Sequence, residues 1–248
     1  MPPAPADDAR PATATPMLQG RARPRPGWTE IAVGFAVLGV ITIGSVLVAT
    51  SATVGAEAFG LLLTALSAVA AGGGFAVAAV VRIRSWAAFG VRRTSGRWVL
   101  TGVAGGLLAF ACKFPLISAY VALSGDAGNA QQVWQPSATT GVATVVLSIL
   151  FLGVLTPIGE ELLFRGVLTT ALLRYGAVVG VVGSTAVFAV VHVAPSTVLV
   201  AVVVGLVAGE LRRRSGSVWP GVAAHVTLNV LSNVLAFVVL PLVPALAG

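Results

Sequence analysis

Glu160, Glu161 and Arg165 stand within six positions of one another in a strongly apolar chain, and residues 127–159 before them contain no Asp, Glu, Lys or Arg. A charged side chain at the centre of a bilayer costs about 2.5–3.5 kcal/mol even on an insertion scale, so charges at that depth usually serve a function. The other strongly polar side chains inside apolar runs are Lys113, His192, His225, Asn229 and Asn233, and both histidines of the chain are among them. A carboxylate in a low-dielectric site can take a proton from water as general base and return it to a leaving amine. A histidine can orient that water, and an Asn amide is a neutral donor suited to a developing oxyanion. Glu160, His192, His225 and Asn229 therefore suit acyl hydrolysis by activated water. The same Glu160, His192 and His225 also match the ligand count of a catalytic zinc with one open position. There is no His-Glu-x-x-His run and no Gly-x-Ser-x-Gly, and Cys112 is the only cysteine, so nucleophilic catalysis lacks support.

Helical spacing separates the two carboxylates. Glu161 and Arg165 are four apart with the Glu first, the better orientation for an ion pair, while Glu160 points about 100° away. Glu161 thus reads as structural and Glu160 as chemical. His192 follows Phe188 by four, and His225, Asn229 and Asn233 form a stripe at intervals of four.

The elements that must position these residues are membrane helices. Of 248 residues, 57% are hydrophobic and 9% charged, far from the ~25% charged residues of soluble domains. The net charge of +7 does not point to nucleic acid, because the arginines cluster in short stretches between apolar runs. Residues 1–27 read as a disordered basic tail and not as a secretory signal peptide, residues 28–138 as three spans with their loops, and residues 139–248 as the catalytic core. A span needs about 20 apolar residues. The expected spans are 31–56, 58–81, 99–123, 139–174, 177–193, a short 198–211, and 218–240, with an interfacial helix in the basic loop 82–97 and a tight turn at 194–197. The fold class is all-α, a polytopic helical bundle of about seven spans, with room in the last residues for an eighth short or re-entrant element.

Alternating sides from a cytoplasmic N-terminus puts the arginines at 10–25, 82–97, 174 and 212–214 on the cytoplasmic side, and leaves the loops near Glu57, Asp126 and Pro195 without Lys or Arg. At 1.5 Å per residue, Glu160 lies about 21 Å from Arg174, His192 about 24 Å from Gly176, Asn229 about 22 Å from Arg214 and His225 about 16 Å from it. The four can surround one point. Pro157 frees a carbonyl just before Glu160 and can kink that span around a cavity.

Glu160-Glu161-x-x-x-Arg165, Phe188-x-x-x-His192 and His225-x-x-x-Asn229, in this order on separate late spans, resemble the three motifs of the CPBP family (CAAX protease and bacteriocin-processing, also called Abi or type II CAAX prenyl endopeptidase). The resemblance covers residues 139–240. It implies an intramembrane endopeptidase in which Glu160 activates water beside His192, and His225 and Asn229 bind the oxyanion, or His225 a metal. Glu161, Arg165 and Phe188 would be supporting residues. The family is described both as zinc-type metalloproteases and as glutamate-dependent proteases without a tightly held metal, so the cofactor is either a divalent ion or none. The implied partners are a membrane-associated protein or peptide substrate and the lipid bilayer. The Arg-rich, nearly Lys-free composition suggests a bacterial plasma membrane. Two competing readings are a noncatalytic scaffold or bacteriocin-immunity protein and a small proton-coupled transporter using Lys113; the absence of a repeat between the halves argues against the transporter.

Overall fold

The computed structural model describes residues 24–51, 55–126 and 141–242. The tail up to residue 23, the polar loop with Asn129, Gln131, Gln132 and Trp134, and the final residues that left room for an eighth element lie outside the described residues. Among the described residues the regular structure is helical throughout: α1 (Trp28–Ser51), α2 (Ala56–Val81), a 3-10 turn (Trp86–Phe89), α3 (Gly96–Ser124), α4 (Val142–Tyr175), α5 (Val179–Val190), α6 (Pro195–Ser215) and α7 (Trp219–Val239). Six of these are long and apolar enough to cross a membrane, and α5 is a shorter apolar helix. The molecule is an all-α, multi-pass membrane protein of about seven helices.

Helix ends differ from expectation, by most at the fifth and sixth helices. The first helix starts at Trp28, earlier than expected, and is described to Ser51; residues 52–54 lie outside the described residues, and Gly55 enters the next helix in an extended conformation (φ −64°, ψ 156°). The fifth stops at Val190; twelve residues span only about 18 Å, short of the ~30 Å hydrocarbon core. The sixth is not short: it starts at Pro195, where a first helical position makes the missing N–H harmless, and runs 21 residues to Ser215. The tight turn consequently sits at 191–194, with Val193 at φ 59°, and His192 stands within it.

The arginine-bearing ends are physically joined. Arg82 donates from Nε and Nη2 to the buried Glu30 carboxylate at 2.7 and 2.8 Å. Arg174 donates to the Pro26 carbonyl, and the Trp28 indole N–H donates to the Tyr175 hydroxyl at 3.0 Å. Arg92 donates to the Gly216 carbonyl at 2.7 Å, and the Val218 N–H to the Gly90 carbonyl at 3.0 Å. These bonds place the segment before α1, the α2–α3 loop, the end of α4 and the α6–α7 turn at one end of the bundle. Above them lies a packed layer of Phe75, Phe89, Leu163, Phe164, Val167, Leu168 and Phe188, all at most 4% exposed.

Small residues let the helices approach closely, as expected where lipid removes the hydrophobic drive between them. A Cβ on Gly106 of α3 would come within 2.4 Å of the Ala224 carbonyl on α7. That contact, with the equivalent one from Gly102 to the Pro220 carbonyl, fixes the register of α3 on α7.

Candidate active site

The local structure of α4 begins with a proline. Two π-helical stretches, Ile149–Leu155 and Leu162–Thr169, flank a short α-helical segment, Thr156–Glu161. In the first stretch the Thr156 N–H reaches back five residues to the Phe151 carbonyl. The same step for the Leu152 carbonyl leads to Pro157, which has no N–H. Asn229 of α7 supplies the missing donor, its side-chain amide reaching the Leu152 carbonyl at 3.1 Å. One side-chain bond thus ties α7 to the widened turn of α4 just before Glu160. Such π-bulges frequently occur at functional sites.

Beyond Pro157 the two carboxylates diverge as helical geometry requires. Glu161 is fully buried: its Oε2 lies 3.2 Å from Arg165 Nε, and its Oε1 lies 3.1 Å from His225 Nδ1. The Arg165 contact is coulombic and not an aligned hydrogen bond, since neither Glu161 Oε2 nor Arg165 Nε has a hydrogen-bond partner. Arg165, itself 1% exposed, donates from Nη2 to the Gly205 carbonyl at 3.3 Å and lies against the Phe188 ring, 4.4 Å from its guanidinium carbon, while its Nη1 has no hydrogen-bond partner. A ring face so placed attracts the cation.

His225 joins the two carboxylates. With Nδ1–H donated to Glu161, its Nε2 faces Glu160 Oε2 at 3.7 Å. The clean division suggested by spacing is therefore corrected: Glu161 serves Arg165 and also orients His225. Phe188 touches the edges or faces of His192 (4.6 Å between centroids), His225 (5.6 Å) and Phe164 (4.9 Å), so one ring spaces both imidazoles. His192 donates Nδ1–H to the Phe188 carbonyl at 2.7 Å, which leaves Nε2 as its acceptor. That carbonyl is open to it because α5 ends there.

A cavity of about 440 Å³ collects these groups: Glu160, Phe188, His192, His225, Asn229 and Asn233 line it. Lys113 and Tyr120 of α3, Asp126 just past its end, and Ser196 and Thr197 of the α6 start also border it, so it extends away from the arginine-bearing end. Glu161 and Arg165 support it from behind. Sequence reasoning missed Thr156 and Ser67, whose hydroxyls meet at 2.9 Å in the wall. Thr156, four before Glu160, shares its helical face and was findable by spacing; Ser67, on α2, carried no such signal.

Among the described residues no three of His, Cys, Asp or Glu come close enough together to hold one ion. His225 Nδ1 is held by Glu161 and His192 Nδ1 by a carbonyl, which leaves Nε2 of each ring for other partners. Glu160, His192 and His225 border one cavity but are not gathered about one point, and no step below is routed through a metal.

Residues 142–231 match a family model described as Rce1-like, type II CAAX prenyl endopeptidase Rce1-like. The match takes in Glu160, Glu161, Arg165, Phe188, His192, His225 and Asn229 and leaves α1 to α3 outside. No curated protein and no solved structure matches the chain. The matched segment is thus the one that carries these cavity residues on α4, α5 and α7, and over residues 142–231 this membrane protein is similar to the type II CAAX prenyl endopeptidase Rce1-like family.

Proposed function

We propose that the protein is an intramembrane endopeptidase that hydrolyses a peptide bond of a membrane-associated protein or peptide with water activated by Glu160. The observation that carries this reading is a single one: Glu160 borders the same cavity as His192, His225 and Asn229, and has no hydrogen-bonded partner, whereas its neighbour Glu161 is committed. A committed carboxylate cannot accept a proton cheaply, and an open one can.

In this mechanism Glu160 takes a proton from water held between it and the His192 Nε2 lone pair. The hydroxide oxygen bonds to the scissile carbonyl carbon, and the carbonyl oxygen becomes an oxyanion. The second amide hydrogen of Asn229 donates to that charge, and His225, its ring fixed by Glu161 and its Nε2 3.7 Å from Glu160, adds a donor when both of its ring nitrogens carry protons. Collapse breaks the C–N bond, and Glu160 passes its proton to the departing amine. The new carboxylic acid and the amine are the products, and Glu160 ends as it began.

Sidedness belongs to the same reading. The bonded arginine end faces the cytoplasm by the positive-inside rule, so the mouth bordered by Asp126, Ser196 and Thr197 faces the opposite side. The arginine-rich, single-lysine sequence supports a bacterial plasma membrane as the setting.

The test compares protein N-termini in cells carrying the wild type, a deletion and Glu160→Ala. Termini lost in both the deletion and Glu160→Ala, with the variant inserted at normal abundance, are the expected result. Cleavage that persists with Glu160→Ala would overturn the assignment.

A further inference from the structure

The arginine run that ends α6 divides between two environments. Arg213 and Arg214 both pair with Glu210, Arg213 at 2.6 Å, and all three side chains stay at the surface. Arg212 turns inward and is 7% exposed. Its Nη2 donates to the Thr170 hydroxyl at 2.8 Å, a neutral acceptor that leaves the charge uncompensated. Its Nε is buried without a hydrogen-bond partner; its Nη1 also lacks one but is not sealed from the surface. The guanidinium lies against Gly90, where a Cβ would come within 2.4 Å of its Cζ.

A second guanidinium stands at the same junction. Arg92 donates from Nε to the Gly216 carbonyl at 2.7 Å, and its Nη2 fills the place that a Gly216 side chain would take. The Val218 N–H bonds the Gly90 carbonyl at 3.0 Å, so the loop under Arg212 and the turn under Arg92 are joined, and the two charges repel each other. Among the described residues neither arginine pairs with a carboxylate. An exposed arginine is compensated by water, but a buried one needs an anion. The carbonyl end of α6 favours cations with only about half a charge, and Arg213 and Arg214 share it.

We propose that Arg212 and Arg92 form a phosphate-binding site at the arginine-bearing end of the bundle, in which Nη1 of Arg212 and the free N–H groups of Arg92 donate to the oxygens of one phosphate group. Guanidinium forks match phosphate oxygens in geometry and charge, and each of these two is already oriented by its own bond to the protein. The phosphate has two sources, the headgroup of an anionic phospholipid or a free phosphate, and the chemistry of recognition is the same. The partly exposed Trp86 and Trp219 lie near Gly90 and Gly216 in sequence, as aromatic residues do at headgroup level. Neither arginine borders the cavity of Glu160, so the proposal does not depend on the peptidase reading.

The experiment uses the full chain in nanodiscs of phosphatidylcholine with and without phosphatidylglycerol. Native mass spectrometry reads the lipid that stays bound on release from the mixed discs. In the phosphatidylcholine discs, melting is followed with inorganic phosphate against chloride at equal ionic strength. Wild type should keep phosphatidylglycerol over phosphatidylcholine by about tenfold or more, the scale of one charge-assisted hydrogen bond, or melt higher in phosphate. Arg212→Gln and Arg92→Gln should each remove the effect. Arg92 is exposed, so its variant tests the site even where Arg212→Gln fails to fold. Arg93→Gln, which removes an exposed charge from the same loop, should change nothing. Retention of phosphatidylglycerol without a response to phosphate identifies the lipid, and the reverse identifies a free phosphate. Neither retention nor response, an effect that survives Arg92→Gln, or an equal loss in Arg93→Gln would each overturn the proposal. Binding that appears only after Asp7→Asn and Asp8→Asn would assign the site to the chain's own acids and overturn it as well.

Discussion

Glu160→Gln and Glu161→Gln change adjacent residues by the same atom, yet the structure assigns them different consequences. Glu161 is 0% exposed and lies 3.2 Å from Arg165 and 3.1 Å from His225. Neutralising it leaves the Arg165 guanidinium, 1% exposed, with only the Gly205 carbonyl and the Phe188 face. Breaking one side of a buried ion pair costs about 3–5 kcal/mol, and the Gln amide keeps one acceptor, which favours the lower end. Glu160 has a side chain 19% exposed to the cavity and its nearest partner is 3.7 Å away, so Gln there should cost under about 1 kcal/mol. At about 2–4 °C per kcal/mol for a chain of this size, Glu161→Gln should lower the melting temperature in detergent by about 6–20 °C and Glu160→Gln by no more than about 4 °C. Proteolysis should fall by at least a hundredfold in Glu160→Gln, the usual contribution of a general base. Differential scanning fluorimetry of the two purified variants, read beside a cleavage assay, separates the effects. Equal melting shifts would refute the division of labour, because both carboxylates would then be equally committed to the fold.

Gly221→Ala places a Cβ 2.7 Å from Glu161 Oε2, so the carboxylate must shift by about half an ångström and the His225 bond at 3.1 Å must lengthen; activity should drop with a loss of about 1–3 kcal/mol in an unfolding titration, and an unperturbed variant would mean that the carboxylate is looser than its burial implies. Asn229→Ala should cost about 1–3 kcal/mol by orphaning the Leu152 carbonyl, and Pro157→Ala should recover part of it by restoring a backbone N–H. The double-mutant cycle should give a coupling of about 1 kcal/mol, and strict additivity would show that the two do not share that carbonyl. In a Cys112→Ala background, Ser196→Cys should react with an impermeant maleimide on intact spheroplasts, whereas Arg93→Cys should react only after lysis. Labelling in the opposite order would reverse the proposed sidedness.

Much of the fold was legible because bilayer physics is read one residue at a time. Six helices long enough to span, and the alternation of arginine-bearing and arginine-free ends, follow from runs of apolar residues and the cost of charge. Helix ends were less legible. By sequence Pro195 suits a turn as well as the first position of α6, which it occupies, since proline serves both uses and only its neighbours decide. That choice shortened α5 and put His192 in a turn.

The candidate site divides along the same line. Sequence alone determined the separation of Glu160 from Glu161 and the i,i+4 placement of Arg165, because both depend only on helical pitch. It also exposed the oddity of two histidines, an Asn and the sole lysine inside apolar runs. Only the tertiary structure decided that His225 reaches both carboxylates, that Asn229 repairs the carbonyl Pro157 leaves behind, that Phe188 spaces the imidazoles, and that Lys113 borders the same cavity as His225. Those contacts run between helices far apart in sequence. Their register is set by glycines and by backbone approach, and pitch within one helix carries no record of which neighbour it will meet.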